Sequence, residues 1–313
     1  MARPVQDRSD QLAGLTVPQQ GSSYPLALTA AGADPTSWGT RGIAVVGVLL
    51  ALAGFSLVVP TVNWVVLSLT HAWFGAGEPM SQYQGRAVRF EMVSGMVAAH
   101  LGLGSLTLVV IGVLRLVHRR RAGWLWSVSA TVRWRYGLVV LVASMVILNG
   151  VLLASTGAPQ LRPQPGAWLW LVAVLLTAPV QALGEEALFR GYLLQALGMA
   201  VRSPVLAIVL SAAVFTVFHG VHQSYALMLQ RFSFGVLAGA LVWRTGGLEA
   251  AVATHVANNL GAFTWAVLTS SVAQVRAIQE ISWAGLGREL AGFALVTAVA
   301  WWVARRMRVP QRV

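Results

Sequence analysis

AWLWLVAVLLTAPVQALGEEALFRG, residues 167–191, decides how the chain is read. Residues 167–183 are apolar enough for a helix crossing a bilayer, which takes about 20 residues. Two glutamates and an arginine then arrive within a single turn and a half. A charge in hydrocarbon costs roughly 2.5 kcal/mol or more, so such groups face a polar interior and act there. Two further polar clusters interrupt equally apolar runs. PVLAIVLSAAVFTVFHG, residues 204–220, ends on His219, and LEAAVATHVANNLGAFTWAVL, residues 248–268, carries His255, Asn258 and Asn259.

The composition agrees with a membrane chain. Of 313 residues, 57% are hydrophobic and only 10% charged, and the mean hydropathy is +0.68. These values do not describe a soluble domain. The net charge of +12 comes from arginine alone, there being no lysine. In a soluble protein that excess would suggest nucleic acid; here the arginines cluster at span ends, as topology determinants and headgroup contacts, and no nucleic-acid partner is expected. Cysteine is absent, which removes disulfides, thiolate nucleophiles and thiolate metal sites.

Working outward gives an all-α, polytopic transmembrane helix bundle of about eight spans: Ile43 to Thr70, with a bend expected at Pro60, Met92 to Leu114, Tyr136 to Ala154, Ala167 to Leu183, Pro204 to His219, Tyr225 to Trp243, Leu248 to Thr269 and Ala284 to Val303. The first run starts too late and runs too long to be a cleaved secretory signal. Four regions follow: a disordered polar tail over 1–40, N-terminal spans over 41–160, a core carrying the three clusters over 161–275, and a last span with a basic tail over 276–313. RLVHRRRAGWLWSVSATVRWR, residues 115–135, holds six arginines and three tryptophans, as suits a cytoplasmic interfacial stretch. An even number of spans puts both termini on the same side as that loop, and the arginines after Val303 agree. The expected location is a cell membrane of bacterial type.

In a helix Glu186 and Arg190 share a face and form an ion pair, whereas Glu185 points about 100° away with no sequence-local partner. Two jobs for two carboxylates follow: Glu186 with Arg190 as a structural clamp, Glu185 free to titrate, polarise water or bind metal. On its own the motif is equally compatible with a span end near the headgroups. A lone histidine such as His219 is more often an interfacial or satisfied group than a catalyst, and His222, three residues on, more so. His255 and Asn259, one turn apart with Asn258 beside them, need partners, and the other two clusters are the nearest supply.

GEEALFRG, FTVFH and HVANN, in that order on successive spans, resemble the EExxxR, FxxxH and HxxxN motifs of the CPBP family of intramembrane proteases, the CAAX prenyl protease and bacteriocin-processing (Abi-type) group. The resemblance covers residues 167 to 270. It implies an intramembrane endopeptidase acting on a membrane-associated protein or peptide, with Glu185 and His219 activating a water, His255 and Asn259 stabilising the oxyanion, and Glu186 and Arg190 in support. A metal version is equally easy to draw, with Glu185, His219 and His255 as ligands of a Zn²⁺ and water in the fourth position. HExxH is absent, and the sequence leaves the two open.

Arg231, inside LMLQRFSFG, reads first as a snorkelling side chain and second as a group facing the bundle to meet a carboxylate. Gly235 and Gly239 form a small-xxx-small face for close helix packing. The competing function class is non-enzymatic: a membrane immunity or scaffold protein, or an ion-coupled carrier. A carrier is expected to show repeats and broken helices in both halves, whereas the polar spans here all lie in the second.

Overall fold

The computed structural model describes residue 10, residues 12–75 and residues 77–313, and among them it contains helices and no strand longer than an isolated bridge. In chain order these are α1 (Trp38–Phe74), α2 (Met80–Val88), α3 (Val93–Gly104), α4 (Leu106–Leu116), α5 (Gly123–Trp126), α6 (Trp134–Thr156), α7 (Ala167–Glu186), a π-helical segment (Ala187–Leu193), α8 (Leu194–Val201), α9 (Pro204–Phe218), α10 (Tyr225–Thr245), α11 (Glu249–Thr269), α12 (Val272–Arg276) and α13 (Trp283–Arg306). Among the described residues six stretches are long and apolar enough to cross a membrane: α1, α3 with α4, α6, α7 through α8, α10 and α13. The other two expected spans, α9 and α11, run between the same two ends of the bundle but are shorter or more polar. At about 1.5 Å per residue α9 spans only some 22 Å. The outward faces carry Leu49, Leu50, Leu138, Val142, Leu175 and Leu176 in the open, the surface a bilayer would cover.

One end gathers the described N-terminal segment, the last residues of the chain and the 117–133 connection. Gly21 N–H donates to Val313 O and Val313 N–H to Ser22 O, each at 3.0 Å, while Val128 N–H donates to Gly246 O at 2.9 Å. Arg133 reaches the Thr245 and Pro310 carbonyls at 2.8 and 3.0 Å and pairs with Glu249. The opposite end gathers the remaining loops: Arg162 N–H donates to Leu268 O and Ser224 N–H to Gln279 O, both at 2.8 Å. Connections alternate between these ends along the chain, so the segment from residue 12 and the last residues of the chain share one end.

The N-terminal segment corrects the expectation of a disordered tail. Residues 1–9 and 11 of that stretch lie outside the described residues, but from residue 12 the chain lies along the terminus end of the bundle. Tyr24 is fully buried and its hydroxyl donates to Leu125 O. Arg120, itself buried, donates to Leu28 O at 2.8 Å, and Thr16 donates to His118 O at 2.7 Å. Gly198 on α8 admits the segment: a methyl there would stand 1.9 Å from Pro25 O. The polar composition of residues 1–40 hid a short run, Tyr24 to Leu28, whose apolar side chains find their burial on distant helices. The same contacts revise the arginine reading, since Arg120 and Arg133 are internal staples rather than headgroup contacts.

Candidate active site

Two packings set the site. α11 lies against α6 and α7, and α9 against α10. Gly235 and Gly239 of α10 abut Ala212 and Ile208 of α9 so closely that a methyl on either would stand 2.8 or 3.0 Å from them, the close approach expected of that face. Immediately after Glu186 the helix widens into the π-helical segment Ala187–Leu193 before resuming as α8. Such segments recur at functional sites because they re-aim side chains without ending the helix.

Glu185, His219, His255 and Asn259 all line one cavity of about 330 Å³. Glu186 is wholly buried behind them. One of its oxygens accepts from Arg190 Nη1 at 2.9 Å and from His255 Nδ1 at 2.8 Å. The Glu186–Arg190 contact is the one the helical spacing predicts; the third member, His255, is not visible locally. The Arg190 guanidinium is further held over the faces of Phe215 and Phe234, 4.0 and 5.1 Å from their centroids, a cation–π arrangement that strengthens when desolvated.

With its Nδ1–H given to Glu186, His255 turns Nε2 toward Glu185 Oε2, 3.5 Å away, too long for a strong hydrogen bond. That Glu185 oxygen has no hydrogen-bond partner among the described residues. His219 caps the C-terminus of α9, and its Nδ1–H donates to Phe215 O at 2.8 Å. Its Nε2 is therefore the nitrogen left with a lone pair. Asn259 donates to Gln181 Oε1 at 2.6 Å and accepts from Asn258 at 3.2 Å. His222 is exposed and away from the cluster. Arg231 faces the bundle, lining this cavity and an adjoining one, with its Nε buried and unpartnered among the described residues.

Sequence reasoning missed Gln181 and His100. Thr177, Gln181 and Glu185 recur every fourth residue along one face of α7, and His255, Asn259 and Phe263 do so along α11. The two faces meet rung by rung: Glu185 with His255, Gln181 with Asn259, and at the third level His100 of α3, which bonds Thr177 at 2.8 Å and packs 5.3 Å from Phe263. Thr177 gives its own hydrogen to Ala173 O at 2.7 Å, so His100 donates from Nδ1 and keeps a lone pair on Nε2. The i, i+4 recurrence of polar residues before Glu185 was a readable signal; His100 needed the fold.

The three residues expected as zinc ligands share the cavity but not a ligand geometry. Among the described residues no three His, Asp or Glu side chains gather closely enough to hold a metal ion. As arranged they do not fit a preformed metal centre.

Residues 166–261 match the family model for type II CAAX prenyl endopeptidase Rce1-like proteins. This stretch is similar to an Rce1-like domain. It takes in α7 through most of α11, and so all three motifs. The uncharacterized protein YyaK of Bacillus subtilis (strain 168) is 29% identical over 99 residues, covering 30% of this chain and 33% of that protein. The chain thus spans about a third of the length of the curated relative it matches. The match lies within a chain whose described residues hold six apolar stretches, as in an integral membrane protein.

Proposed function

We propose that the chain is an intramembrane endopeptidase that hydrolyses a peptide bond in a membrane-associated protein or peptide, with Glu185 as the base. The observation that carries this reading is the division of labour between the paired glutamates. One Glu186 oxygen is held by Arg190 and His255 and that residue does not line the cavity, whereas Glu185 lines it with His219 and Asn259 and has an oxygen without a hydrogen-bond partner among the described residues.

A water accepted by Glu185 and by the His219 lone pair is polarised for attack on a carbonyl carbon. As its oxygen bonds to that carbon, Glu185 takes one of its protons, and the carbonyl oxygen gains the negative charge. Asn259 Nδ2–H, and His255 when Nε2 carries a proton, are donors for that oxyanion. Collapse breaks the C–N bond; Glu185 returns its proton to the departing nitrogen, leaving an acid and an amine. Glu186 fixes the orientation of His255 and is a positioning residue. No step is derived through a metal.

We further propose that both termini are cytoplasmic. Arg115, Arg119, Arg135, Arg305, Arg306 and Arg308 stand exposed at the terminus end, while at the other end Glu78 and Glu91 pair with Arg86 and Arg89. This asymmetry is the positive-inside pattern.

The test of the activity is comparison of protein N-termini in membranes from cells making wild type or Glu185→Gln at equal levels. New termini present only with wild type are expected. Identical sets of termini would refute the proteolytic reading.

A further inference from the structure

Adjoining the catalytic cavity is a second of about 570 Å³, which shares His219, Arg231, Asn258 and Asn259 with it. Its remaining walls lead to one end only. They include Leu152 near the finish of α6, Thr269 at the finish of α11, and Ile278 and Gln279 in the loop beyond α12. All of these lie at the end away from the termini.

The shorter way out is closed. Along α11, His255 is six residues from Glu249, about 9 Å, but fourteen from Thr269, about 21 Å. Toward Glu249, however, the bundle is floored by Leu125, Val128 and Leu248, all buried, with Tyr24 of the N-terminal segment, buried too, tied to Leu125 O beneath them. Toward Thr269 the walls remain apart, and Ala262 on that path is exposed.

The charges on the open route are unequal. Arg231, Arg276 and Arg288 line it against Glu289, and the Glu289 carboxylate accepts from Gln230 at 2.9 Å. The route is therefore positive, complementary to acidic side chains.

We propose that substrate reaches Glu185 from the face of the membrane opposite the termini, through this vestibule, and is a polypeptide segment bearing acidic residues. Given cytoplasmic termini, the substrate is an extracytoplasmic segment. The inference rests on the proposed protease reading for what happens after entry, but the route is tested without turnover.

The natural absence of cysteine provides the background. Single variants Gln279→Cys at the mouth, Gln311→Cys at the terminus end and Ala262→Cys on the path are made in the full chain. In intact spheroplasts a membrane-impermeant maleimide should label Gln279→Cys, and Gln311→Cys only after permeabilisation. A small charged thiosulfonate added outside should modify Ala262→Cys. Labelling of Gln311→Cys in intact spheroplasts with Gln279→Cys protected would overturn the proposal. So would an Ala262→Cys reached only from the cytoplasmic side. An oligoglutamate peptide outside should slow Ala262→Cys modification several-fold and an oligolysine should not; equal effects, or none, would remove the acidic partner. A chain with the expected labelling that cleaves nothing would refute the protease reading alone, and cleavage with reversed labelling would refute the route alone.

Discussion

Arg133, at the end where the termini meet, gives Nε to one Glu249 oxygen at 2.8 Å, Nη2 to the other, and Nη1 to two backbone carbonyls. Arg231, on the cavity, has a buried Nε with no partner among the described residues. Both are arginines within an apolar bundle, yet one is saturated and the other held open. Desolvated charge is retained only where it is paired or where something arrives to pair with it. The first arrangement fastens the chain ends together; the second leaves a positive charge facing the cavity.

The sharpest way to break this contrast is to remove each arginine. Arg133→Leu strands the Glu249 carboxylate, 5% exposed, and should cost about 3–5 kcal/mol, read as a large fall in Tm in detergent. Arg231→Leu should stay near wild type in Tm, since no hydrogen bond to a described residue is lost. Equal destabilisation by the two would end the distinction between fastened and open ends.

Asn259→Ala addresses the open side. Losing one oxyanion donor should lower kcat by about 10²-fold with Tm nearly unchanged; loss of folding in parallel with activity would make Asn259 and its bond to Gln181 structural only.

A smaller effect is expected from pH at the fastened end. His118 lies in the 117–133 connection, bonded to Tyr192 at 2.9 Å. Burial, and secondarily the Arg120 charge, depress its pKa from 6.5 to about 4. The folded value lies below the unfolded one, so as pH falls the unfolded chain binds the proton first. This contribution to stability is complete above the unfolded value near 6.5 and is lost as pH falls toward about 4. His118→Asn should flatten the fall in Tm across that window; an unchanged slope would take His118 out of the account.

How much of this was legible beforehand follows the range of each interaction. Helical spacing alone separates Glu185 from Glu186 and pairs Glu186 with Arg190, because those contacts are made within one turn. The span order follows from hydropathy, and the co-location of the termini from an even number of crossings. What escaped depends on contacts between distant segments. His255 meets Glu186 across 69 residues, and His100 meets Thr177 across 77. Tyr24 meets Leu125 across 101, and with the Thr16–His118 and Arg120–Leu28 bonds it anchors a segment that looks solvated by composition. The widening of the helix after Glu186 has no local signature such as proline or paired glycines.

The proposed roles make Glu185 the base and Glu186 a positioning residue. The direct measurement is single-turnover cleavage in proteoliposomes, using a peptide identified from wild-type-dependent termini, by wild type and Glu185→Gln matched for Tm, each with and without a strong chelator. Glu185→Gln should lose at least about 10²-fold in rate while wild type is indifferent to the chelator. Cleavage by Glu185→Gln at the wild-type rate would contradict these roles, and a wild-type rate abolished by the chelator and restored by Zn²⁺ would contradict the metal-free chemistry.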